Sequence, residues 1–338
     1  MSVDHPPGLA RGAGGATGVV VIGRNEGERL RRCLESVCGL VSSVVYVDSG
    51  STDDSVALGR ALGAIVVVLD HRVPYTAARA RNEGFRKLLE IEPTLDYVLF
   101  VDGDCEVAAG WVERGAGFLD EHPEVAIVWG QRREQHPEKS VYNMLCDIEW
   151  RDYPSGDVKA CGGDIVARTV AIKQIKGYRP ELICGEEPEM CVRLRQAGWR
   201  IWRLGEVMTL HDAAMYSFSQ WWKRALRGGY ASAQGVALHG APPERHCVTE
   251  SRRTWVWGLC VPLAVIGITH LVGWWGLLLL MVYPLQVIRL ALLGRRSTRE
   301  NWWRAGALVL SKFPGMLGQL KFFLDRYRHV TSRLIEYK

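Results

Sequence analysis

The chain has 338 residues, 48% of them apolar and 23% charged, with a formal net charge of +5 at pH 7. That composition excludes a disordered, collagenous or wholly coiled-coil chain, and the length allows one large domain or two smaller ones. The basic character is local, because residues 289–338 hold eleven Lys and Arg against three Asp and Glu while the part before them is slightly acidic.

Residues 1–18 carry Asp4, two prolines and five glycines with no apolar stretch, which predicts a disordered lead rather than a secretory signal, and a chain that starts in the cytoplasm. Short β-branched runs then alternate with helical patterns. Val19–Ile22 precedes Glu26–Cys38, Val44–Val47 precedes Asp53–Leu62, and Ala64–Leu69 precedes Thr76–Ile91. Tyr97–Val101 precedes Ala108–Glu121, and Val125–Trp129 follows. This alternation predicts an α/β fold with a mostly parallel sheet flanked by helices, and it directs the search for chemistry to the carboxyl ends of the strands. No GxGxxG follows the first strand and no GxxxxGK[ST] occurs, which argues against the usual dinucleotide and P-loop sites. Nine cysteines form no CxxC pair and no zinc-spaced cluster, as expected of buried thiols in a reducing compartment.

The strand ends are polar and specific. Arg24-Asn25-Glu26 follows the first, Asp48-Ser-Gly-Ser51 the second and Asp102-Gly-Asp104 the fourth. Paired carboxylates at such an edge suit Mg²⁺ or Mn²⁺ completed by substrate phosphates, although Asp and Gly are also ordinary turn residues. Asp48 is placed to accept a hydrogen bond from a base ring NH, and Arg81 lies near the start of a helix facing the same edge. Glu186 and Glu187 precede a helix running to Ala197; dipole and capping preferences account for acids there, and so does a general base. His211 offers an imidazole as a further metal ligand.

Beyond a linker at 236–253, Thr254 to Ile288 is free of Asp, Glu, Lys and Arg, with Arg252 and Arg253 before it and Arg289, Arg295, Arg296 and Arg299 after it. One helix of that length would be about 52 Å against a hydrocarbon core of about 30 Å. The reading is a hairpin over 254–293, either two short spans or re-entrant, with a turn near Gly273 and both ends in the cytoplasm. Buried core helices of a soluble domain are the alternative. Residues 294–338 read as a basic amphipathic tail on the inner face of the cell membrane. Its charges are interleaved with aliphatic runs and no recognition motif appears, so no nucleic acid is expected.

Taken in order, VVVIGRNEGERLRRCL (19–34), VDSGSTDD (47–54), ARNEG (80–84), VDGD (101–104) and GEEPEMCVRL (185–194) followed by Gly198-Trp-Arg-Ile resemble the family 2 glycosyltransferases, over residues 19 to about 235. The resemblance implies a GT-A (Rossmann-like) domain and an inverting enzyme. Such an enzyme moves a sugar from a nucleotide-diphosphate sugar, a UDP-sugar by family habit, to an acceptor hydroxyl with Mg²⁺ or Mn²⁺. It implies nucleotide contacts at Asn25, Glu26, Asp48, Arg81 and Asp102, a sugar contact at Asp164, metal binding at Asp104, Asp102 and His211, and a base at Glu187 or Glu186. The family's Asp is replaced here by Glu187, and Gln220-Trp-Trp-Lys-Arg224 matches the processive members only in part. A lipid-linked or glycan acceptor is the expected partner. A non-catalytic nucleotide-sugar-binding subunit and a sugar nucleotidyltransferase are the competing readings.

Overall fold

The computed structural model describes residues 15–329; the first fourteen residues of the expected lead and the end of the basic tail, 330–338, lie outside them. Residues 17 and 18, assigned to the lead, belong to the sheet. β1 (Thr17–Gly23), α1 (Glu28–Glu35), β2 (Val44–Asp48), α2 (Ser55–Ala61), β3 (Ile65–Val68), α3 (Ala77–Ile91) and β4 (Tyr97–Asp102) alternate along the chain. Val19, Val20 and Val21 are wholly buried, so β1 is covered on both faces and its sequence is continuously apolar instead of alternating.

There follow β5 (Cys105–Val107), α4 (Trp111–Glu121), β6 (Val125–Glu134), α5 (Val141–Arg151), β7 (Gly156–Asp157), β8 (Ile165–Arg168), α6 (Thr169–Gln174), α7 (Glu186–Gln196) and β9 (Arg200–His211). Among the described residues the sheet has nine strands in the order β3-β2-β1-β4-β8-β6-β9-β5, with β7 pairing β9 to the side. The half from β3 to β4 is parallel. Beyond it β8 inserts antiparallel between β4 and β6, β6 and β9 run parallel, and β5 pairs antiparallel with β9.

The remainder is helical: α8 (Phe218–His239), α9 (Val248–Trp255), a π-helical turn at Val256–Cys260, α10 (Val261–Val272), a 3-10 stretch at Gly273–Met281, α11 (Val282–Leu292), α12 (Thr298–Leu310) and α13 (Lys312–Tyr327). Most of the expected linker 236–253 is therefore helix. A Cβ built on Gly229 of α8 would overlap the Gly315 carbonyl of α13, and one on Gly318 would overlap the Leu226 carbonyl, so the two helices cross in backbone contact. α12 is tied to the sheet domain by Arg304 and Arg296 on Asp152 and by Glu300 on Arg151.

Val248–Leu292 is the helical run among the described residues that is long and apolar enough to cross a membrane, with only 11% of its most apolar window buried. It is not one straight helix. Gly273 has φ +70, and the Tyr283 hydroxyl donates to the Trp257 carbonyl at 2.7 Å. Those residues would lie about 39 Å apart on a straight helix. The chain therefore reverses at Gly273, leaving Leu271, Trp274 and Trp275 exposed around the turn.

Candidate active site

Asp102 ends β4, and Gly103 turns the chain so that Asp104 precedes β5. The antiparallel register that sets Cys105 opposite His211 carries the imidazole to this turn from more than a hundred residues away. His211 Nε2 lies 3.3 Å from Asp104 Oδ1, and its Nδ1 faces Glu134 Oε2 at 3.8 Å. Asp104, Cys105 and His211 offer ligand atoms within 4.8 Å of one another. Carboxylate and imidazole suit Mn²⁺, with substrate phosphates completing the shell, and Glu134 places a carboxylate on the far side of the imidazole.

Asp102 is differently employed. Its Oδ1 accepts from Arg81 Nη2 at 2.8 Å and its Oδ2 from Arg132 Nη2 at 3.1 Å. Asp102 also lies with Cys105 and Asp164 in a second group whose ligand atoms are within 4.8 Å of one another, so its carboxylate is shared between two guanidinium groups and the cavities it lines. Burial opposes its ionisation, but Arg81 and then Arg132 outweigh that and hold its carboxyl below the usual range.

Arg81, only 2% exposed, joins Asp102 to the amino end of α7, its Nη1 lying 2.9 Å from both Glu186 Oε1 and Glu187 Oε1. Asp102, Asp164, Glu186 and Glu187 thus face Arg81 and Arg132, four carboxylates against two cations. Burial, and then the neighbouring Glu186, push the Glu187 carboxyl up to about 7. A carboxylate tuned close to neutral pH is what general-base chemistry needs.

Two cavities meet at Asp102. The smaller, 300 Å³, is lined by Arg24, Ser49, Tyr75, Asp104 and His211. The larger, 890 Å³, is lined by Glu186 and Glu187 and reaches the C-terminal helices. Arg132 on β6 and Arg224 and Arg227 on α8 line both.

Other expected contacts are redirected. Asp48 is 1% exposed; its Oδ1 accepts from the Tyr46 hydroxyl and its Oδ2 from the Gly50 and Ser51 amides. Its carboxylate thus holds its own turn, of which Ser49 lines the smaller cavity. Asp164, fully buried, accepts from the Asp102 amide, Arg132 Nε and the Thr209 hydroxyl, and so supports Asp102 and Arg132 from behind. Asn25 ties the first loop to the second through the Thr52 amide at 2.7 Å and the Ser51 hydroxyl at 2.9 Å, a positioning role. Glu26 lines the smaller cavity and pairs with Arg29.

Arg132, Glu134, Arg224 and Arg227 were not among the residues expected from sequence. The signal for the first two was present: Gln131-Arg-Arg-Glu134 is a polar run continuing an apolar strand, as at Asp102, but the strand was ended at Trp129.

Residues 18–169 match the model of Glycosyl transferase family 2. This chain carries a family 2 glycosyltransferase domain. The domain resembles the pre-mycofactocin glycosyltransferase of Mycobacterium tuberculosis, with 30% identity over 234 residues, 64% of this chain and 47% of the relative. The glucosyl-3-phosphoglycerate synthase of the same organism is 29% identical over 200 residues, 54% of this chain and 56% of that one. The chain spans about half the length of these two relatives. Among solved structures, a mannosyltransferase of Pyrobaculum calidifontis in complex with GDP-Man and Mn²⁺ superposes with a TM-score of 0.57 at 17% identity, over 92% of this chain and 88% of the other. S. aureus TarS 1–349 gives 0.52 at 15% identity, over 87% and 90%. These likenesses reach beyond the family 2 glycosyltransferase domain into the helical part, and they establish a shared GT-A-like fold.

Proposed function

We propose that the protein transfers a sugar, with inversion, from a nucleotide-diphosphate sugar to a hydroxyl of a lipid-linked or cell-surface glycan, at the cytoplasmic face of the cell membrane. The observation that carries this reading is the division of the site. The metal-binding pair Asp104 and His211 faces the smaller cavity, the carboxylates Glu186 and Glu187 face the larger, and the two meet at Asp102. On this reading donor and acceptor take adjoining compartments that share the wall at Asp102, Arg132, Arg224 and Arg227, as a single displacement requires.

Asp104 and His211 would hold Mn²⁺ or Mg²⁺, which supplies Lewis-acid neutralisation of the departing diphosphate. Tyr75, Arg24 and Ser49 line the donor compartment where a nucleoside would lie, and Arg224 and Arg227 present N–H donors where the two compartments join. Glu187 takes the proton of the acceptor hydroxyl. The oxygen attacks the anomeric carbon on the face opposite the diphosphate, and the bond to the diphosphate oxygen breaks. Arg81 keeps Glu187 aimed into the acceptor compartment. A UDP-sugar is the proposed donor, with a GDP-sugar as the alternative suggested by the mannosyltransferase neighbour. The hairpin 254–293 enters the inner leaflet, and the basic residues flanking it rest on anionic headgroups.

The test is nucleoside diphosphate release by the detergent-purified full-length chain from a panel of UDP-, GDP- and dTDP-sugars with Mn²⁺ or Mg²⁺, with and without membrane lipid. Asp104→Asn runs beside it. Metal-dependent release abolished in the variant supports the transferase; donor binding without release from any donor, with lipid present, supports a non-catalytic subunit instead.

A further inference from the structure

The larger cavity offers far more room than one hydroxyl facing Glu187 needs. At 890 Å³ it is at the upper end of sites that enclose a whole drug-sized ligand, about 300–1,000 Å³. Its inner end is Glu186 and Glu187. Its outer wall comes from the C-terminal helices: Thr254 of α9, Leu308 of α12, Lys312 of α13. Thr254 is also the first residue of the charge-free run, so the cavity opens at the root of the apolar hairpin.

The chemistry of the wall narrows the occupant. Arg224 pairs with Glu149, Arg304 with Asp152 and Lys312 with Glu250. Matched ion pairs present N–H donors and carboxylate acceptors side by side with little net field, which suits a polyhydroxyl head group better than a multiply charged one. Ser232, 8% exposed and lining the same cavity, has a hydroxyl with no hydrogen-bond partner in the protein. A buried unpaired hydroxyl is costly, and a bound ligand hydroxyl removes that cost.

Resting on the transferase reading, we infer that this cavity is the acceptor subsite and that its occupant is a glycolipid. The carbohydrate head lies between α5, α8 and α12 within reach of Glu187. The apolar chain leaves past Leu308 and Thr254 and lies along the hairpin. The C-terminal helices are thus part of the acceptor site as well as an anchor.

The experiment uses the full-length protein in nanodiscs of phosphatidylcholine and phosphatidylglycerol. Cys184, which lines the cavity, is alkylated with iodoacetamide and followed by mass spectrometry, at alkaline pH because burial pushes its thiol up. The probe is dodecyl maltoside below its micellar concentration, with maltose as the same head without the chain. Dodecyl maltoside at about ten times its Kd slows Cys184 alkylation by about tenfold, since the unliganded fraction falls as 1 + [L]/Kd. Maltose at the same concentration does not, and Cys38 on the far side of the domain reacts unchanged. Leu308→Trp, which narrows the exit, removes the protection. Ser311→Cys, lining the same cavity, is the second reporter where Cys184 reacts too slowly to follow. No protection at either cysteine, or equal protection by maltose, overturns the glycolipid assignment. Mn²⁺-dependent binding of the UDP- and GDP-sugars is titrated on the same sample: its absence sinks the transferase reading, whereas intact donor binding without protection sinks only the acceptor proposal.

Discussion

His211 Nε2 faces Asp104 Oδ1 at 3.3 Å, with Glu134 3.8 Å behind the other ring nitrogen. Two residues with different jobs in the chain, one in a strand-to-strand turn and one at a strand end, are joined by a three-residue antiparallel pairing. Removing the carboxylate behind the imidazole, Glu134→Gln, is expected to weaken Mn²⁺ binding in the presence of UDP by about 10–100-fold. His211→Ala and Asp104→Asn weaken it further. Calorimetric titration of the three variants decides the matter, and unchanged affinity in all three would remove the metal from this position.

Glu187 sets the pH dependence. Its carboxyl, pushed up to about 7, must be ionised to accept a proton, so turnover rises with pH through about 7 and then levels off. Glu187→Gln lowers kcat by about 10²–10⁴-fold with donor affinity retained. The same shift acts on stability: the folded state binds this proton more tightly than the unfolded chain, so the stability present at acid pH declines as pH rises towards and through 7. Glu187→Gln flattens that decline. A rate profile level across neutral pH in the wild type rules Glu187 out as the base.

Arg81 is the cation that three carboxylates share. Arg81→Met leaves Asp102, Glu186 and Glu187 buried together without it, at a cost of about 3–5 kcal/mol in denaturant unfolding. Arg81→Lys recovers only part, because an ammonium is a point charge and cannot bridge Asp102 and α7 with separate nitrogens. A loss below about 1 kcal/mol for Arg81→Met, the range of exposed pairs, would mean the cluster is hydrated and not held by Arg81.

The crossing of α8 and α13 depends on missing side chains. Gly229→Ala and Gly318→Ala force the backbones apart and destabilise by about 1–3 kcal/mol. Gly117→Ala is the control: it lies in α4, where an added Cβ meets nothing within 4 Å, and gains about 0.4–1 kcal/mol. Equal melting shifts at all three positions would show that helix propensity, not contact, governs them.

The chain reverses at Gly273, so the proposed membrane placement puts both ends of the hairpin on one side of a bilayer. Cysteines introduced at Arg253 and Arg299 are expected to react with a membrane-impermeant maleimide from the same face of sealed vesicles. Labelling from opposite faces would require a single span and a broken Tyr283–Trp257 bond.

The amino-acid sequence by itself determined the elements and the chemistry they carry. Continuous β-branched runs can be buried only as strands covered on both faces, and polar residues directly after them mark the carboxyl edge. The family resemblance and the charge-free run ending in basic residues were therefore legible, as was the placing of Asp102 and Asp104 after a buried strand. The tertiary structure decided which donors engage each of several similar carboxylates. Asp48 is engaged locally, by the Tyr46 hydroxyl on its own strand and the Gly50 and Ser51 amides of its own turn, whereas non-local donors, Arg81, Arg132 and Thr209, engage the oxygens of Asp102 and Asp164. Local sequence does not encode those partners, because they arrive from strands and helices distant in the chain. The same holds for the larger cavity, whose outer wall comes from C-terminal helices far along the chain from Glu186 and Glu187.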